Sequence, residues 1–413
     1  MIHRNTDESY RKNLLDYQLS PISYSESNQQ NMSAGVYLHI PFCKSRCSYC
    51  DFATEVYRDS GAVDRYVNSL VREIGLFKAA PLTAEPGANQ CVSADTIYFG
   101  GGTPSLLEPG QVERILSVVR GRFEVSRDAE ITVEMNPATV SAVSLAAYRE
   151  AGVNRASFGV QTFNDRDLKL LARGHDANDA RETFKLLRET GFENISFDLI
   201  AGLPGQTLNE WERNLDEALA MGPEHLSLYL LEIHQGTPLA EQLRSGRRPM
   251  PDEDAAAQMY ETMLDRTADA GYKQYEISNF ARPGFESRHN SKYWQLDPVY
   301  GFGVSAHSFD GVVRYSNERD TARYVQRMEE GGNAEIVREK VNTESEFIFL
   351  GLRLTKGVRS AEFRERFGLD LREKYAGELE RLSDLELVEA SSQSIKLTRK
   401  GMLYSNEVFA EFV

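Results

Sequence analysis

Three cysteines follow one another closely in the first part of the chain. Cys43, Cys47 and Cys50 are spaced C-x3-C-x2-C and come directly after the apolar-leaning segment Val36–Ile40. Three thiolates on one short loop can bind three irons of a [4Fe-4S] cluster and leave the fourth iron without a protein ligand. A structural zinc ion needs four protein ligands, and Cys91 has no C-x-x-C partner. We therefore predict a cluster with one open iron. Zinc is the alternative, and disulfides fit poorly because three thiols cannot all pair.

The cysteine loop resembles that of a known family. Its spacing is similar to that of the radical S-adenosylmethionine (SAM) superfamily. The wider string Tyr37-x-His39-Ile40-Pro41-Phe42-Cys43 resembles the branch that contains oxygen-independent coproporphyrinogen III oxidase (HemN) and the haem chaperone group HemW. The resemblance implies that SAM binds the open iron through its amino and carboxylate groups, and that an electron from the cluster cleaves SAM to a 5'-deoxyadenosyl radical. It also implies an electron donor as a partner.

Six apolar segments alternate with segments of helical periodicity between Val36 and Ile233. The predicted strands are Val36–Ile40, Asp95–Phe99, Glu130–Glu134, Arg155–Val160, Asn194–Ile200 and His225–Leu231. The clearest predicted helices are Ala62–Phe77, Gln111–Val119, Ala142–Ala151, Asp176–Thr190 and Leu208–Met221. Repeated strand–helix units predict a parallel sheet covered by helices. The expected fold class is α/β, a partial (β/α)6 TIM-type barrel of the kind known in radical SAM proteins.

Polar or glycine-rich residues come at the end of every predicted strand. In barrels of parallel strands the active site lies at the carboxyl ends of the strands, so we expect these residues to share one rim. They are the cysteine loop, the segment Gly100–Pro104, Glu134, Gln161, Asp198 and Glu232.

The chemistry of these rim residues suits a nucleoside or amino acid ligand. Gly100–Pro104 lets the backbone approach a ligand closely because glycine has no Cβ, although a tight turn is the alternative. Glu134 and Asp198 suit ribose hydroxyls or an ammonium group, with capping of the following helix as the alternative. Gln161 offers an amide, and Tyr49, next to the last cluster cysteine, is expected to shield the cluster or stack near adenine.

The resemblance adds further SAM contacts. The glycine segment resembles the superfamily's GGE-type segment, which implies that Gly101, Gly102 and Thr103 hold the amino group of SAM. Arg173 lies twelve residues beyond Gln161, as the SAM-contacting arginine does in the HemN pattern, and an arginine can bind a carboxylate with two hydrogen bonds. Tyr37 resembles the family's tyrosine near the junction of SAM and cluster.

A second string in the chain reads H-N-x-x-Y-W, at His289, Asn290, Tyr293 and Trp294. Judged from its residues alone, a histidine beside aromatic residues is more often a hydrogen-bonded structural histidine than a metal ligand. The string resembles the haem-binding string of the HemW group, which implies that His289 ligates haem iron and that Tyr293 and Trp294 pack against the macrocycle. His307, in a segment similar to one near the active-site mouth of the oxidase, is left between a metal or porphyrin contact and a structural donor.

These patterns favour a haem chaperone that delivers haem to acceptor apoproteins such as respiratory haem proteins. One alternative is oxygen-independent coproporphyrinogen III oxidase, which converts propionates to vinyl groups. It is disfavoured because Phe52 stands where the oxidase has a further cysteine. Another is a HemN-like radical SAM methyltransferase, which the H-N-x-x-Y-W string disfavours. Whether the chain is an enzyme stays open: SAM cleavage is compatible with the sequence, and oxidase activity is not expected.

We predict four regions along the chain. They are a disordered tail at 1–33, the barrel at 34–240, a HemN-like extension with the haem loop at 241–340, and a small C-terminal winged-helix-like domain at 341–413. In the extension, Pro251–Ala270 is predicted as a helix and Glu276–Arg282 as a strand. The last region is expected to contain the helices Glu344–Leu352, Ser360–Arg366 and Leu371–Leu382, and a strand pair at Leu387–Glu389 and Ser394–Leu397. Met32 is a candidate for the true start of translation.

Composition narrows the location and the partners. A net charge of −15 argues against a nucleic-acid surface, including at the winged-helix-like domain. Four cysteines, three of them in a metal-type loop, point to a reducing cytoplasm. No apolar run approaches the roughly 18 residues of a membrane span, and no secretory signal is evident. A homodimer is left open.

Overall fold

The computed structural model describes residues 33–57, 59–78 and 91–413. The predicted tail, apart from Ser33, lies outside the described residues, as does Met32.

A twelve-stranded sheet forms the framework of the described part of the chain, in the order β14-β13-β12-β11-β1-β4-β5-β6-β7-β8-β10-β9. The strands are β1 Ala34–Ile40, β2 Phe42–Cys43, β3 Glu55–Val56, β4 Val92–Gly101, β5 Phe123–Met135, β6 Arg155–Gln161, β7 Ile195–Ala201, β8 His225–Leu230, β9 Lys273–Glu276, β10 Asn279–Ala281, β11 Val299–Phe302, β12 His307–Phe309, β13 Val313–Asn317, β14 Glu335–Lys340, β15 Val358–Arg359, β16 Val388–Ala390 and β17 Ser394–Leu397.

Sixteen α-helices and one 3₁₀ turn, Pro104–Leu106, connect and cover these strands in the described residues. The helices are α1 Ser60–Leu76, α2 Pro109–Arg122, α3 Ala142–Glu150, α4 Asp165–Leu170, α5 Ala177–Glu189, α6 Leu208–Met221, α7 Pro238–Arg244, α8 Glu253–Asp269, α9 Arg288–Trp294, α10 Thr321–Glu330, α11 Thr343–Gly351, α12 Ser360–Phe367, α13 Leu371–Lys374, α14 Ala376–Asp384, α15 Arg399–Leu403 and α16 Ser405–Ala410.

The six predicted barrel strands are confirmed as six adjacent parallel strands, β1, β4, β5, β6, β7 and β8. They form because one face of each strand carries apolar residues, such as Val36, Leu38 and Ile40 of β1, that are buried in the main hydrophobic core. Side chains alternate between the two faces of a strand, so the residues between these apolar ones lie on the opposite face, which is largely polar and points into the barrel lumen.

Additional strands extend both ends of the parallel set. Strand β11 pairs in parallel with β1, and β12 to β14 continue from it in antiparallel fashion. At the other end, β10 and β9 follow β8 in antiparallel pairing. The sequence patterns did not predict the strands β11 to β14 or the helix α10.

Two predictions for later elements are wrong in detail. Glu276–Arg282 is not one strand, because the Glu276 carboxylate accepts hydrogen bonds from the backbone N–H of Ser278 (2.8 Å) and the amide of Asn279 (2.5 Å) and so stabilises a turn between β9 and β10. The predicted helix Leu371–Leu382 is interrupted at Tyr375, where α13 ends and α14 begins.

The C-terminal region contributes most residues of a second hydrophobic core, to which Ile277, Leu296 and Phe309 of the preceding region also belong. Its buried residues, among them Ile348, Phe363 and Ile395, form a cluster separate from the main one. Helices α12 to α14 and the three-stranded sheet β15-β17-β16 surround this core, which agrees with the predicted winged-helix-like arrangement. The domain boundaries themselves stay a prediction. Across the described ranges, no helix has both the length and the apolar character that a membrane span requires.

The buried carboxyl group of Glu73 joins α1 to the extension strands. It accepts hydrogen bonds from the Tyr324 hydroxyl (2.7 Å), the Gly303 backbone N–H (2.8 Å) and the Asn317 amide (2.6 Å). Burial raises the pKa of this carboxyl to about 7, although the three hydrogen bonds oppose the shift. The folded protein therefore binds the proton more tightly than the unfolded chain does.

This shift predicts a pH-dependent stability. Because folding raises the pKa of Glu73, the free energy of unfolding falls as the pH rises from the pKa of the unfolded chain, near 4.5, through the pKa of the folded protein, about 7. We compare the free energy of unfolding of Glu73→Gln with that of the native protein. The difference, variant minus native, is expected to increase by on the order of 2–3 kcal/mol from pH 5 to pH 8. Urea denaturation of both proteins at the two pH values measures this difference. A difference that does not change with pH would contradict it.

Candidate functional site

The cysteine loop lies directly against the end of the neighbouring strand. The backbone N–H groups of Gly102 and Thr103, after β4, donate to the carbonyl oxygens of Ile40 and Phe42, both at 2.8 Å. The loop is also tied to the segment before Arg173, because Ser48 donates to backbone carbonyls there through its N–H and its hydroxyl, both at 2.9 Å. The structure thus brings Cys43, Cys47 and Cys50 next to the glycine segment, as the strand ends predict.

The glycines of this segment are needed by the fold itself. Gly101 has a φ of +108°, and a Cβ there would lie 2.6 Å from the His39 ring. A Cβ on Gly102 would lie 2.8 Å from the Phe42 carbonyl oxygen, and one on Gly100 would lie 2.9 Å from the Tyr37 ring. Strand packing therefore explains all three glycines, while their contact with a ligand stays a prediction.

The thiols of Cys43 and Cys47 accept hydrogen bonds from side chains, and Asn136 links these two donors. The Thr103 hydroxyl donates to Cys43 Sγ and an Arg173 guanidinium nitrogen donates to Cys47 Sγ, both at 3.5 Å. The Asn136 amide N–H donates to Thr103 Oγ1 at 2.7 Å, and its oxygen accepts from Arg173. Asn136 was not predicted. The available signal was its position in the Glu134-Met135-Asn136-Pro137 string that ends the third barrel strand.

The donor set fits an iron–sulfur cluster. The three cysteines are partly buried and unpaired, and burial raises the pKa of Cys43 and of Cys50. Thiols in such a place become thiolates when a cation stabilises them, as metal ions do. Within the described residues, no three or more His, Cys, Asp and Glu side chains are arranged to hold a single metal ion. A cluster differs from a single ion because each thiolate binds a different iron.

Glu134 and Asp198 face the lumen below the rim. Glu134 accepts from the Tyr98 hydroxyl (2.7 Å) and from the Gly101 N–H (3.1 Å), and burial raises its pKa to about 7. Burial also raises the pKa of Asp198 to about 6, opposed by a hydrogen bond to Ser227. Helix capping does not explain either residue, because the helices that follow are capped by Ser141 and Thr207.

Gln161 and Arg173 lie together over Gly159. A Cβ on Gly159 would lie 2.5 Å from Gln161 Nε2 and 3.2 Å from an Arg173 nitrogen, so both side chains need this glycine. Arg173 donates to the Gly159 carbonyl (2.8 Å), and its Nε is buried without a partner. A cleft opens beside Arg173 and is lined also by Cys47, Thr103 and Asn136.

The two predicted tyrosines are partly buried near the same rim. The Tyr37 hydroxyl is 3.1 Å from His39 Nδ1, and its ring stacks with Tyr98 at a centroid distance of 6.3 Å. Burial raises the pKa of Tyr49, whose hydroxyl lies beside Arg173. In contrast, Glu232 lies on an exposed loop, where its carboxylate is 3.6 Å from His234.

The H-N-x-x-Y-W string lies at the opposite end of the barrel and forms the helix α9. His289 is 1% exposed, with Nδ1 at 2.9 Å from Thr96 Oγ1 and Nε2 at 3.2 Å from the Tyr293 hydroxyl. Burial, helped by the charges of Lys292 and Arg155, lowers the pKa of His289 to about 3. The geometry is that of a hydrogen-bonded structural histidine, and haem ligation by His289 stays a prediction.

The remaining residues of the string and His307 have distinct surroundings. The buried indole N–H of Trp294 has no partner, and the Arg353 guanidinium lies 4.3 Å from the Trp294 ring centroid. Asn290 lies in the first turn of α9, where its backbone N–H donates to Ser287. His307 is exposed on β12. The structure thus groups the predicted cluster residues and most of the predicted SAM residues at one rim and the predicted haem residues toward the other end of the barrel. Tyr37 lies between the two sets, because its ring also stacks with His289 at a centroid distance of 6.4 Å.

Comparisons with known proteins agree with the two parts of this architecture. Residues 37–218 match the family model of the radical SAM superfamily, and residues 345–404 match that of the HemN C-terminal domain. The solved structure of the coproporphyrinogen III oxidase HemN from Escherichia coli aligns with a TM-score of 0.79 and 26% identity, covering 92% of this chain and 90% of that one.

The curated relatives are similar over almost the whole chain. Heme chaperone HemW of Bacillus subtilis is 38% identical over 381 residues, which cover 91% of this chain and 98% of the relative. Heme chaperone HemW of Escherichia coli is 36% identical over 341 residues, covering 81% of this chain and 86% of the relative.

The Asn136 link predicts a measurable stability loss. Asn136→Ala removes the acceptor of a buried Arg173 nitrogen and the donor to Thr103, so we expect the free energy of unfolding to fall by about 1–3 kcal/mol. The control Asn68→Ala removes an exposed partner of Arg114 and is expected to change stability by less than about 0.5 kcal/mol. Urea denaturation compares the two variants. Equal effects would contradict the structural role given to Asn136.

Proposed function

Because the chain belongs to the heme chaperone HemW family of the radical SAM superfamily, we propose that it binds haem and transfers it to acceptor apoproteins, such as respiratory haem proteins. The observation that carries this proposal is the near full-length similarity to relatives named haem chaperones, at 35–38% identity. The few cysteines of the chain suit transfer within a reducing cytoplasm.

We propose that the rim holds the cofactors typical of the superfamily. Cys43, Cys47 and Cys50 would bind a [4Fe-4S] cluster, which supplies one electron to SAM when both are present. SAM would contact residues around the same rim, namely Tyr37, Tyr49, Gly101, Gly102, Thr103, Glu134, Gln161, Arg173 and Asp198. The buried and unpartnered Nε of Arg173 supports an acceptor group in this place. An external electron donor would reduce the cluster.

The proposed haem residues are His289, Asn290, Tyr293 and Trp294. Both ring nitrogens of His289 are engaged, so binding of iron would require Nε2 to exchange the Tyr293 hydroxyl for the metal. The unpartnered indole N–H of Trp294 is a buried donor without an acceptor, which favours rearrangement of this end of α9 when a polar ligand group arrives.

The second candidate function is coproporphyrinogen III oxidation. The similarity to the HemN structure favours it, but fold does not determine function. Phe52, at the position of the oxidase's additional cysteine, is 63% exposed and supplies no thiol. Formation of vinyl products from coproporphyrinogen III, with SAM and a reductant, would replace the chaperone proposal by this one.

Haem titration tests the chaperone proposal and the haem residues together. We expect the purified protein to develop a Soret band with haem, and His289→Ala to weaken binding roughly tenfold or more. The matched control is His225→Ala. His225 is equally buried, with Nδ1 at 2.7 Å from Ser196 Oγ and Nε2 at 2.8 Å from the Tyr275 hydroxyl. The control therefore removes the same kind of hydrogen bonds without touching the string.

The comparison of the two histidine variants separates a ligand from a structural residue. Loss of haem binding in His289→Ala alone supports the assignment. Equal binding by both variants would show that His289 is structural, and the absence of a Soret band in the native protein would reject the function itself.

A further inference from the structure

Arg155 occupies the middle of the barrel lumen. It begins β6, lies opposite Thr132 of β5 in the strand register, and is 1% exposed. Burial is the main cause of the lowered pKa of His225 on β8 and of His289 on α9, and the positive charge of Arg155 is a further cause. The same charge opposes the raised pKa of Tyr98 on β4. Because Ala156 is buried in the main hydrophobic core and side chains alternate along a strand, the Arg155 side chain lies on the lumen face of β6.

Among the described residues, two of the three guanidinium nitrogens of Arg155 have no hydrogen-bond partner. Arg155 Nε and one terminal nitrogen, both fully buried, have no acceptor, and neither does the hydroxyl of Thr132 beside it. In the part of the chain that the structure describes, Arg155 forms no ion pair within 4 Å. An arginine keeps its charge in proteins, and a buried charge without a partner costs free energy. The arrangement destabilises the unliganded protein.

The carboxyl groups in the lumen only partly compensate Arg155. Glu134 and Asp198 feel its charge, but Glu134 is bound by Tyr98 and Gly101, and Asp198 by Ser227. Burial raises the pKa of both carboxyls, which reduces their negative charge near neutral pH. Within the described residues, the lumen therefore retains buried donors of Arg155 and Thr132 that have no acceptor.

We propose that the lumen around Arg155 and Thr132 is a binding site for a carboxylate of a ligand. A carboxylate accepts hydrogen bonds from a guanidinium and a hydroxyl, and it neutralises the charge. The inference rests on the proposed function, which supplies such a ligand in haem through a propionate; the methionine carboxylate of SAM is expected at the open iron and Arg173, at the other end of β6. His289 contacts Thr96 of β4 and donates its backbone N–H to Glu130 of β5, two residues before Thr132, so the site lies at the same end of the barrel as the proposed haem residues.

The test compares each ligand with a form that lacks the carboxylate. Haemin is compared with its dimethyl ester, and SAM with decarboxylated SAM on anaerobically reconstituted protein. The variant Arg155→Met removes the charge at similar length. Its control is Arg188→Met, since Arg188 is a partly buried arginine whose nitrogens bind Glu224 (2.7 Å) and two backbone carbonyls.

We expect the native protein to prefer haemin over the ester by about 10-fold or more, as expected for charge-assisted hydrogen bonds, and Arg155→Met to lose this preference. Its unliganded melting temperature should stay equal or rise, because two buried donors without acceptors are removed. Arg188→Met should keep the preference and melt at a lower temperature. Loss of preference by Arg155→Met in the SAM pair instead would overturn the assignment of the site to a haem propionate.

Two results would contradict the proposed carboxylate site. One is that Arg155→Met still prefers the carboxylate form in both ligand pairs. The other is a lower melting temperature of Arg155→Met with unchanged ligand binding, which would make Arg155 structural. If preference and melting temperature both fall, Arg155→Lys decides, since recovery of the preference by the retained charge supports the site and no recovery rejects it. Failure of the native protein to bind haem would reject the proposed function, while the SAM pair and the melting temperatures still test Arg155.

Discussion

The close approach of the first two barrel strands at their carboxyl ends determines the rest of the site. Hydrogen bonds from Gly102 and Thr103 to the carbonyls of Ile40 and Phe42 fix the cysteine loop against β4. They can form only because the glycines carry no Cβ where the His39 ring and the Phe42 carbonyl lie. The same backbone geometry directs the Gly101 N–H to Glu134 and the Thr103 hydroxyl to Cys43. The absence of Cβ atoms at these glycines therefore positions the Cys43 thiol, the Thr103 hydroxyl and the Glu134 carboxyl together.

Much of this architecture could be predicted from local patterns. Apolar runs identified the six parallel strands. The rule that polar residues gather at the carboxyl ends of strands grouped the rim residues except Glu232, which lies on an exposed loop. The patterns failed where a side chain competes with the backbone, as Glu276 does when it stabilises the turn after β9. They also failed where a partner is distant in the sequence. Thr96, which binds His289, lies 193 residues away.

The residues that the patterns missed share a physical reason. Asn136 matters because it joins Thr103 to Arg173, and Arg155 matters because it has no adequate partner. Neither property is visible in the residue type, since it depends on what three-dimensional packing brings near or leaves out. The lumen also concentrates carboxyls with raised pKa, a buried cation and two neutral histidines. Natural proteins keep such costly arrangements mainly where a ligand compensates them.

The most direct test of this account is electron paramagnetic resonance of the anaerobically reconstituted and reduced protein, recorded with and without SAM. The account predicts a [4Fe-4S] signal that depends on Cys43, Cys47 and Cys50 and that changes when SAM is added, because one iron has no protein ligand. A protein that retains zinc on these thiols, or that gives a cluster signal insensitive to SAM, would contradict it.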